Sequence, residues 1–518
     1  MKSTSEPILG TWTRRGLFKA GGATALGTLL AAGAPQLAEA KPTTLSDNIY
    51  TRTGLRPFIN LTAAYTVYGG LLTPPSVKQA MEEASYYSVA IDELMQAVGT
   101  RLGQLLGGEF AMVSAGCASA LGIATTGCVT GGDPEKIQRL PNVQGLKDQV
   151  LFPAQSRNEY DHAVRAVGVG AVNFDSKQDL LAALGPRTAM IYVLGEKPGR
   201  VPLEEIVAAA HQENVPVLVD SAAEVPTLPN QYLKRGADMV AISGGKYLAG
   251  PQCSGILLGR RDLVQAAWAC SAPHHGLCRT MKVGKEEIMG LFAAVETFVH
   301  DRSYPKELEL WNSWLTAIRE SVVTVPGVRA TLHPPESPNP HPYLLIEWSP
   351  DDIPITGGEL NQRLLAGNPR IMTLAGGDTY SFRARAGGMK PGDDKLVAAR
   401  FQEVFSEARR GKKKPLARPV EDVSGKWDVE IKFFASSARH TFELQADGNR
   451  VRGTHRGEYK QSDLAGSVDG PNVRLRSQLP CDGFTLPYLF TGSVSQGRMS
   501  GELDLDELGH ATWSARRA

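Results

Sequence analysis

The stretch ADMVAISGGKYLAGPQCSGILLG (Ala237 to Gly259) places a single lysine, Lys246, among glycines between two apolar runs. The flanking runs DMVAISG and SGILLG read as buried strands. A lysine at that junction has two readings. It is a solvated turn lysine, or it is a partly buried amine whose desolvation lowers its pKa and favours the neutral nucleophile. Such an amine can condense with a carbonyl cofactor.

Working outward, FAMVSA, AMIYVLG and VPVLVDS are further apolar runs alternating with helical segments between about 75 and 300. Alternation of this kind predicts an α/β fold with a mainly parallel sheet, whose sites lie at the C-terminal edges of the strands. The run VPVLVDSAAEVP ends in Asp220 at such an edge. A carboxylate there can keep the ring nitrogen of pyridoxal phosphate (PLP) protonated and make the ring an electron sink. An ordinary cap after a strand is the other reading of Asp220. In FAMVSAGCASALGIATTG a strand turns through glycine into a helix of small residues. Backbone N–H groups of Gly116, Cys117 and Ala118 can cradle a phosphate at that helix start, with the Ser243 hydroxyl as a further donor. A small-residue helix start is also a plain packing device.

Together these residues resemble the fold type I PLP enzymes, and within them the selenocysteine synthase-like group, which includes L-seryl-tRNA selenium transferases and D-glucosaminate-6-phosphate ammonia-lyases. The matching stretches are INLTAAYTVYGGLLTPPSVKQAM, VPLEEIVAAAHQENVPVLVDSAAEVP, GADMVAISGGKYLAGPQCSGILLGRRDLV and CRTMKVGKEEIMGLFAAVETF, over roughly residues 45 to 400. The resemblance implies PLP as cofactor, Lys246 as the Schiff-base lysine and Asp220 as partner of the pyridinium nitrogen. It places Ala222 with the cofactor-binding residues and stacks His162 on the ring. Arg279, Lys282 and Lys285 of HHGLCRTMKVGKEE are candidates for substrate anions, although Leu277 and Cys278 intervene between Gly276 and Arg279 where the family has Gly-Arg. Where the family has GxPPI followed by an arginine, this chain has AGNPRIMTLAGG, so Arg370, Arg383 or Arg385 stands in for the contact to the substrate carboxylate. Completion of fold type I sites by a neighbouring subunit implies a homo-oligomer.

The N-terminus has its own character. TRRGLFK precedes a small, apolar run and then PQLAEA, the order of a twin-arginine export signal cleaved after Ala40. Residues 1–40 are therefore expected to be a signal peptide, and the mature protein periplasmic or secreted. Beyond this segment no stretch is apolar enough to span a bilayer. A net charge of +1 gives no reason to expect nucleic acid as a partner. The six cysteines have neither the density of a disulfide framework nor the spacing of a zinc site, and no metal is expected.

Domain boundaries follow from texture. A PLP-binding large domain is expected over 41–320, a small α+β domain over 321–408, and a basic linker, RRGKKKPLARP, over 409–420. Residues 421–518 then alternate in about eight short segments punctuated by glycine, from KWDVEIKFF to ATWSARR, which predicts an antiparallel meander closed into a small barrel. It carries no catalytic constellation and reads as a packing or partner module.

The expected activity is that of a PLP lyase on a small amino acid or amino-sugar acid. Racemisation and transamination start from the same carbanion and stay open. A selenium transferase fits poorly, because its tRNA substrate is cytoplasmic and this chain has no basic excess. A non-catalytic exported binding protein is the alternative from another class, and it has no need of both Lys246 and Asp220.

Overall fold

The computed structural model describes residues 48–195, 199–377, 379–411 and 415–518. The twin-arginine segment lies outside the described residues, as do residues 412–414 of the basic linker.

Three hydrophobic cores organise the chain. The first lies on both faces of a seven-stranded sheet formed by β1 (Phe110–Ser114), β2 (Gln149–Pro153), β3 (Gly170–Phe174), β4 (Thr188–Leu194), β5 (Val217–Asp220), β6 (Met239–Ser243) and β7 (Gly255–Gly259). Their spatial order is β1-β7-β6-β5-β4-β2-β3. Five of the strands match the expected apolar runs. QVLFP and GAVNF are the two that sequence reading passed over, GAVNF because the strand is half-exposed. Strands β2 to β6 are parallel, but β7 runs antiparallel to both β6 and β1. The reason is local. The link from Ser243 to Gly255 is too short for a parallel crossover, so the chain turns back and threads β7 between its neighbours.

A second core joins a three-stranded antiparallel sheet to two helices. The strands are β8 (Val328–His333), β9 (Tyr343–Trp348) and β10 (Ser381–Arg385), ordered β10-β9-β8. Leu315, Ile318, Phe401 and Phe405 face this sheet from the helices that precede and follow it, Tyr304–Val322 and Asp393–Arg409. The expected division at 320/321 falls inside the first of these helices. It is corrected to a position ahead of that helix, because Trp311, Trp314, Leu315 and Ile318 are buried in the second core.

The third core fills a closed barrel of eight consecutive antiparallel strands. These are β11 (Gly425–Lys432), β12 (Ser437–Asp447), β13 (Arg450–Arg456), β14 (Gln461–Asp469), β15 (Asn472–Cys481), β16 (Phe484–Ser495), β17 (Arg498–Asp504) and β18 (His510–Arg517). Alternate residues point inward, as in GKWDVEIK, where Trp427, Val429 and Ile431 are buried. The interior is packed with aromatic side chains. Phe442 and Phe490 meet edge-on at 5.0 Å, and Phe490 and Trp513 at 5.3 Å. No helix among the described residues is long and apolar enough to cross a membrane.

Candidate active site

Lys246 occupies the turn between β6 and β7, held by Ala249 N–H donating to the Lys246 carbonyl at 2.9 Å and Gly250 N–H to that of Gly244 at 2.8 Å. The glycines before it are required by close approach. A Cβ on Gly244 would lie 2.1 Å from Ser254 Oγ, and one on Gly245 would lie 2.6 Å from Gln252 Oε1. The following residue anchors the turn from the other side. Buried Tyr247 donates to Glu307 Oε2 at 2.7 Å and accepts from Arg302 Nη1 at its carbonyl at 2.7 Å. The half-buried Lys246 side chain extends to within 5.6 Å of the Tyr160 ring centre.

Asp220 ends β5 and is 3% exposed. Burial pushes its carboxyl above the usual carboxylate range, and four features oppose that rise: Tyr192, Ala222 N–H, the Lys246 charge and Cys117. Tyr192, on the adjacent β4, donates its phenol to Oδ2 at 2.8 Å. Ala222 N–H donates to Oδ1 at 3.0 Å, and Cys117 Sγ lies 3.6 Å from the same oxygen. Tyr192 in turn accepts from Asn158 Nδ2 at 3.0 Å. The Cys117 thiol is pushed well up by burial first and the Asp220 charge second, so it stays neutral.

Beside this pair begins the helix Cys117–Thr130, nearly all of it buried. Its N-cap, Gly116, has φ +131 and no side-chain cap, and a Cβ built there meets nothing within 4 Å. Uncapped N–H groups at a helix start facing open space form an anion seat. A phosphate seat, a buried carboxylate and an amine in one centre match the three ends of PLP. The residues fit the cofactor: Gly116, Cys117 and Ala118 for the phosphate, Asp220 for the ring nitrogen and Lys246 for the carbonyl carbon. Ser243 ends β6 three residues before the lysine and is half-buried.

The other candidates fall in different places. His162 is exposed on the short helix Asp161–Arg165, and Tyr160, two residues before it, brings its ring near the Lys246 amine. Arg370 is committed to the backbone, bonding the carbonyls of Leu365 and Arg56, and Arg383 pairs with Glu336 at 2.9 Å. Arg385 differs. Its Nε is buried without a hydrogen-bond partner, and burial lowers its pKa. Its backbone N–H donates to Leu61 O, at the start of the segment whose Thr66 meets Gln252 of the lysine turn at 3.3 Å. Of the three arginines expected to stand in for the carboxylate contact, Arg385 is thus the one with a buried Nε lacking a hydrogen-bond partner. Lys285 is also spoken for, bonding Ala84 O at 2.7 Å and Glu286. Arg279 is half-buried and Lys282 exposed in the loop before the helix Lys285–His300.

Sequence reading missed Tyr192, Asn158 and Tyr160. Tyr192 sits in AMIYVLG, where a tyrosine reads as one more apolar strand residue, and only the sheet order reveals its hydroxyl beside Asp220.

Comparison with known proteins identifies the family. Residues 174–276, which include both Asp220 and Lys246, match the Aminotransferase class-V family. The chain is 31% identical to a 5'-C-glycyluridine monooxygenase-decarboxylase of Streptomyces sp over 340 residues, which is 62% of this chain and 83% of that protein. It is 25% identical to the D-glucosaminate-6-phosphate ammonia lyase of Salmonella typhimurium over 382 residues, covering 70% of this chain and all of that protein. A solved D-glucosaminate-6-phosphate ammonia-lyase structure shares the fold with TM-score 0.63 at 24% identity, over 70% of this chain and 99% of the other. The chain belongs to the fold type I PLP-dependent enzymes, in the selenocysteine synthase-like group.

Proposed function

We propose that the enzyme is a lyase that eliminates a β-substituent, and then ammonia, from an amino acid or amino-sugar acid. The observation that carries this reading is the convergence of Lys246 and buried Asp220 on one side, with Arg385 supplying a buried cation lacking a partner at its Nε. When bound, PLP takes up the negative charge that proton removal leaves on the substrate Cα. Lys246 takes the Cα proton and passes it to the departing β-oxygen. The Cα–H and Cβ–O bonds break, a carbon–carbon double bond forms, and water leaves. The amino-alkene then takes up water and gives ammonia and a keto acid. Asp220 holds a proton at the ring nitrogen, and Tyr192 and Ala222 hold Asp220. Arg385 receives the substrate carboxylate.

The proposal includes a setting. TRRGLFK and AEA frame an export signal, so the mature chain begins near Lys41 and works outside the cytoplasm, as a homo-oligomer on a small amino substrate. A reaction needing no second amino acceptor suits that location. The test is to incubate the mature protein with D- and L-amino acids and amino-sugar acids, without added acceptor, following ammonia, keto acid and optical rotation. Ammonia with keto acid supports the lyase. Loss of rotation alone makes it a racemase, and activity only with added keto acid makes it an aminotransferase. A second reading, oxygen-dependent decarboxylation, is favoured by the identity to the monooxygenase-decarboxylase over most of that protein. Oxygen uptake with release of carbon dioxide in the same incubations would decide for it.

A further inference from the structure

The barrel has two unlike ends. At one, the incoming linker is tied down: Gly470 N–H donates to Ala417 O at 3.1 Å, Val420 N–H to Gly470 O at 3.1 Å, and Gly497 N–H to Glu421 Oε2 at 2.9 Å. The connections β12–β13, β14–β15 and β16–β17 lie there. Alternation of an up-and-down barrel puts the other four connections at the opposite end, and contact between Gly509 and Phe434 joins two of them.

That opposite end rests on the catalytic domain. Gly483, in the β15–β16 turn, has φ +71, and a Cβ there would lie 2.5 Å from Asn158 O and 3.0 Å from Asn158 N. Turn and backbone are thus in contact. The Asn158 side chain donates to Ser156 O at 3.0 Å and to the Tyr192 phenol at 3.0 Å. By occupying a lone pair of the phenol oxygen, Asn158 leaves the Tyr192 hydrogen to point at Asp220. Two more side chains of the same end reach the catalytic domain: Asp506 raises the pKa of the Tyr68 phenol second to burial, and Glu507 adds to the rise at the Tyr160 phenol behind burial, Glu159 and Asp220.

We propose that the C-terminal barrel is a wall of the active site, and that Gly483 is a positioning residue which, through Asn158 and Tyr192, fixes the carboxylate of Asp220. The proposal rests on the PLP reading of the Lys246 centre. It revises the sequence expectation of a separate packing or partner module, because the barrel touches the hydrogen-bond chain that serves the cofactor. A turn glycine is required twice over at 483, for its φ and for the approach to Asn158.

The test uses the full-length holoenzyme and the variants Gly483→Leu, Asn158→Ala and the double variant. Two quantities are read: the pH midpoint of the cofactor absorption band, and kcat against KM. Near-ultraviolet circular dichroism, to which buried Trp427 and Trp513 contribute alongside the aromatic residues of the other cores, monitors folding, and a loss in Gly483→Leu alone is read as loss of the barrel signal. Gly483→Leu and Asn158→Ala are expected to move the midpoint in the same direction and to lower kcat on the order of tenfold with KM nearly unchanged. The double variant is expected to go no further than the stronger single one, since both act on one chain of bonds. A midpoint that moves in Asn158→Ala and stays put in Gly483→Leu, or strictly additive effects, overturns the proposal. Should Gly483→Leu lose the barrel signal, Gly483→Ala takes its place with the same expectations. A wild-type protein whose Lys246 carries no cofactor would instead overturn the PLP reading, which keeps the two failures apart.

Discussion

Tyr192 donates its phenolic hydrogen to Asp220 over 2.8 Å, from the neighbouring strand of the sheet. A buried carboxylate is costly to ionise, and this bond is the foremost of the features that oppose the rise in its pKa. Replacing Tyr192 with Phe removes a hydrogen bond to a charged group, a stabilisation of about 1.5–3 kcal/mol. The Asp220 pKa then rises further and the proton on the ring nitrogen is held less firmly. Tyr192→Phe should retain PLP and lose on the order of tenfold in kcat or more, with KM nearly unchanged, as steady-state kinetics will show.

Borohydride reduction of the holoenzyme, followed by peptide mapping, is expected to find the pyridoxyl label on Lys246 within SGGKYLAGP. A label on any other lysine would reject the assignment. Asp220→Ala should keep the cofactor and lower turnover on the order of a hundredfold or more.

The two arginines make a paired experiment. Arg385→Ala removes the cation proposed to meet the substrate carboxylate and should raise KM on the order of tenfold to a hundredfold. Arg370→Ala breaks bonds to the carbonyls of Leu365 and Arg56 and should lower thermal stability while leaving KM close to that of wild type. A reversed pattern would restore Arg370 to the substrate.

His455, fully buried in the barrel between His440 and Ser477, has its pKa pushed from 6.5 down to about 3, by burial first and by the neighbouring His440 second. Below pH 6.5 the unfolded chain takes up a proton that the folded ring refuses until about pH 3. Stability is therefore full above 6.5 and falls as the pH drops through that window. Buried His341, likewise lowered to about 3, adds to the same slope in the second domain. Denaturant titrations between pH 7 and pH 4 should show a shallower acid loss for His455→Phe than for wild type.

The candidate centre is legible in the sequence where it is local. A lysine between glycines, an aspartate ending an apolar strand and a glycine before a small-residue helix each announce themselves within a dozen residues, and the structure brings Asp220 against Cys117 with the Lys246 charge in reach. The barrel was legible too, because glycine punctuation and period-two burial repeat eight times. What stayed hidden depends on contacts distant in sequence. Arg385 looks like either of its neighbours until the structure shows Arg383 paired and Arg370 bonded to backbone. The antiparallel β7 is apolar throughout like its parallel neighbours, so direction had to come from loop length. Contact between Gly483 and Asn158 spans most of the chain, and a turn glycine carries no sign of what it touches.

Tyr247 is buried in the second core while Leu248, its successor, is buried in the first. The backbone around Lys246 thus stitches two cores together, and neither can come apart without tearing Tyr247 away from Glu307 and Arg302. Melting of residues 48–411 is therefore expected to be a single cooperative event, and a lesion deep in the second core, such as Phe401→Ala, will be felt as lost order at the lysine. The turn that carries Lys246 is thus fastened to both cores by the two residues that follow it, Tyr247 and Leu248.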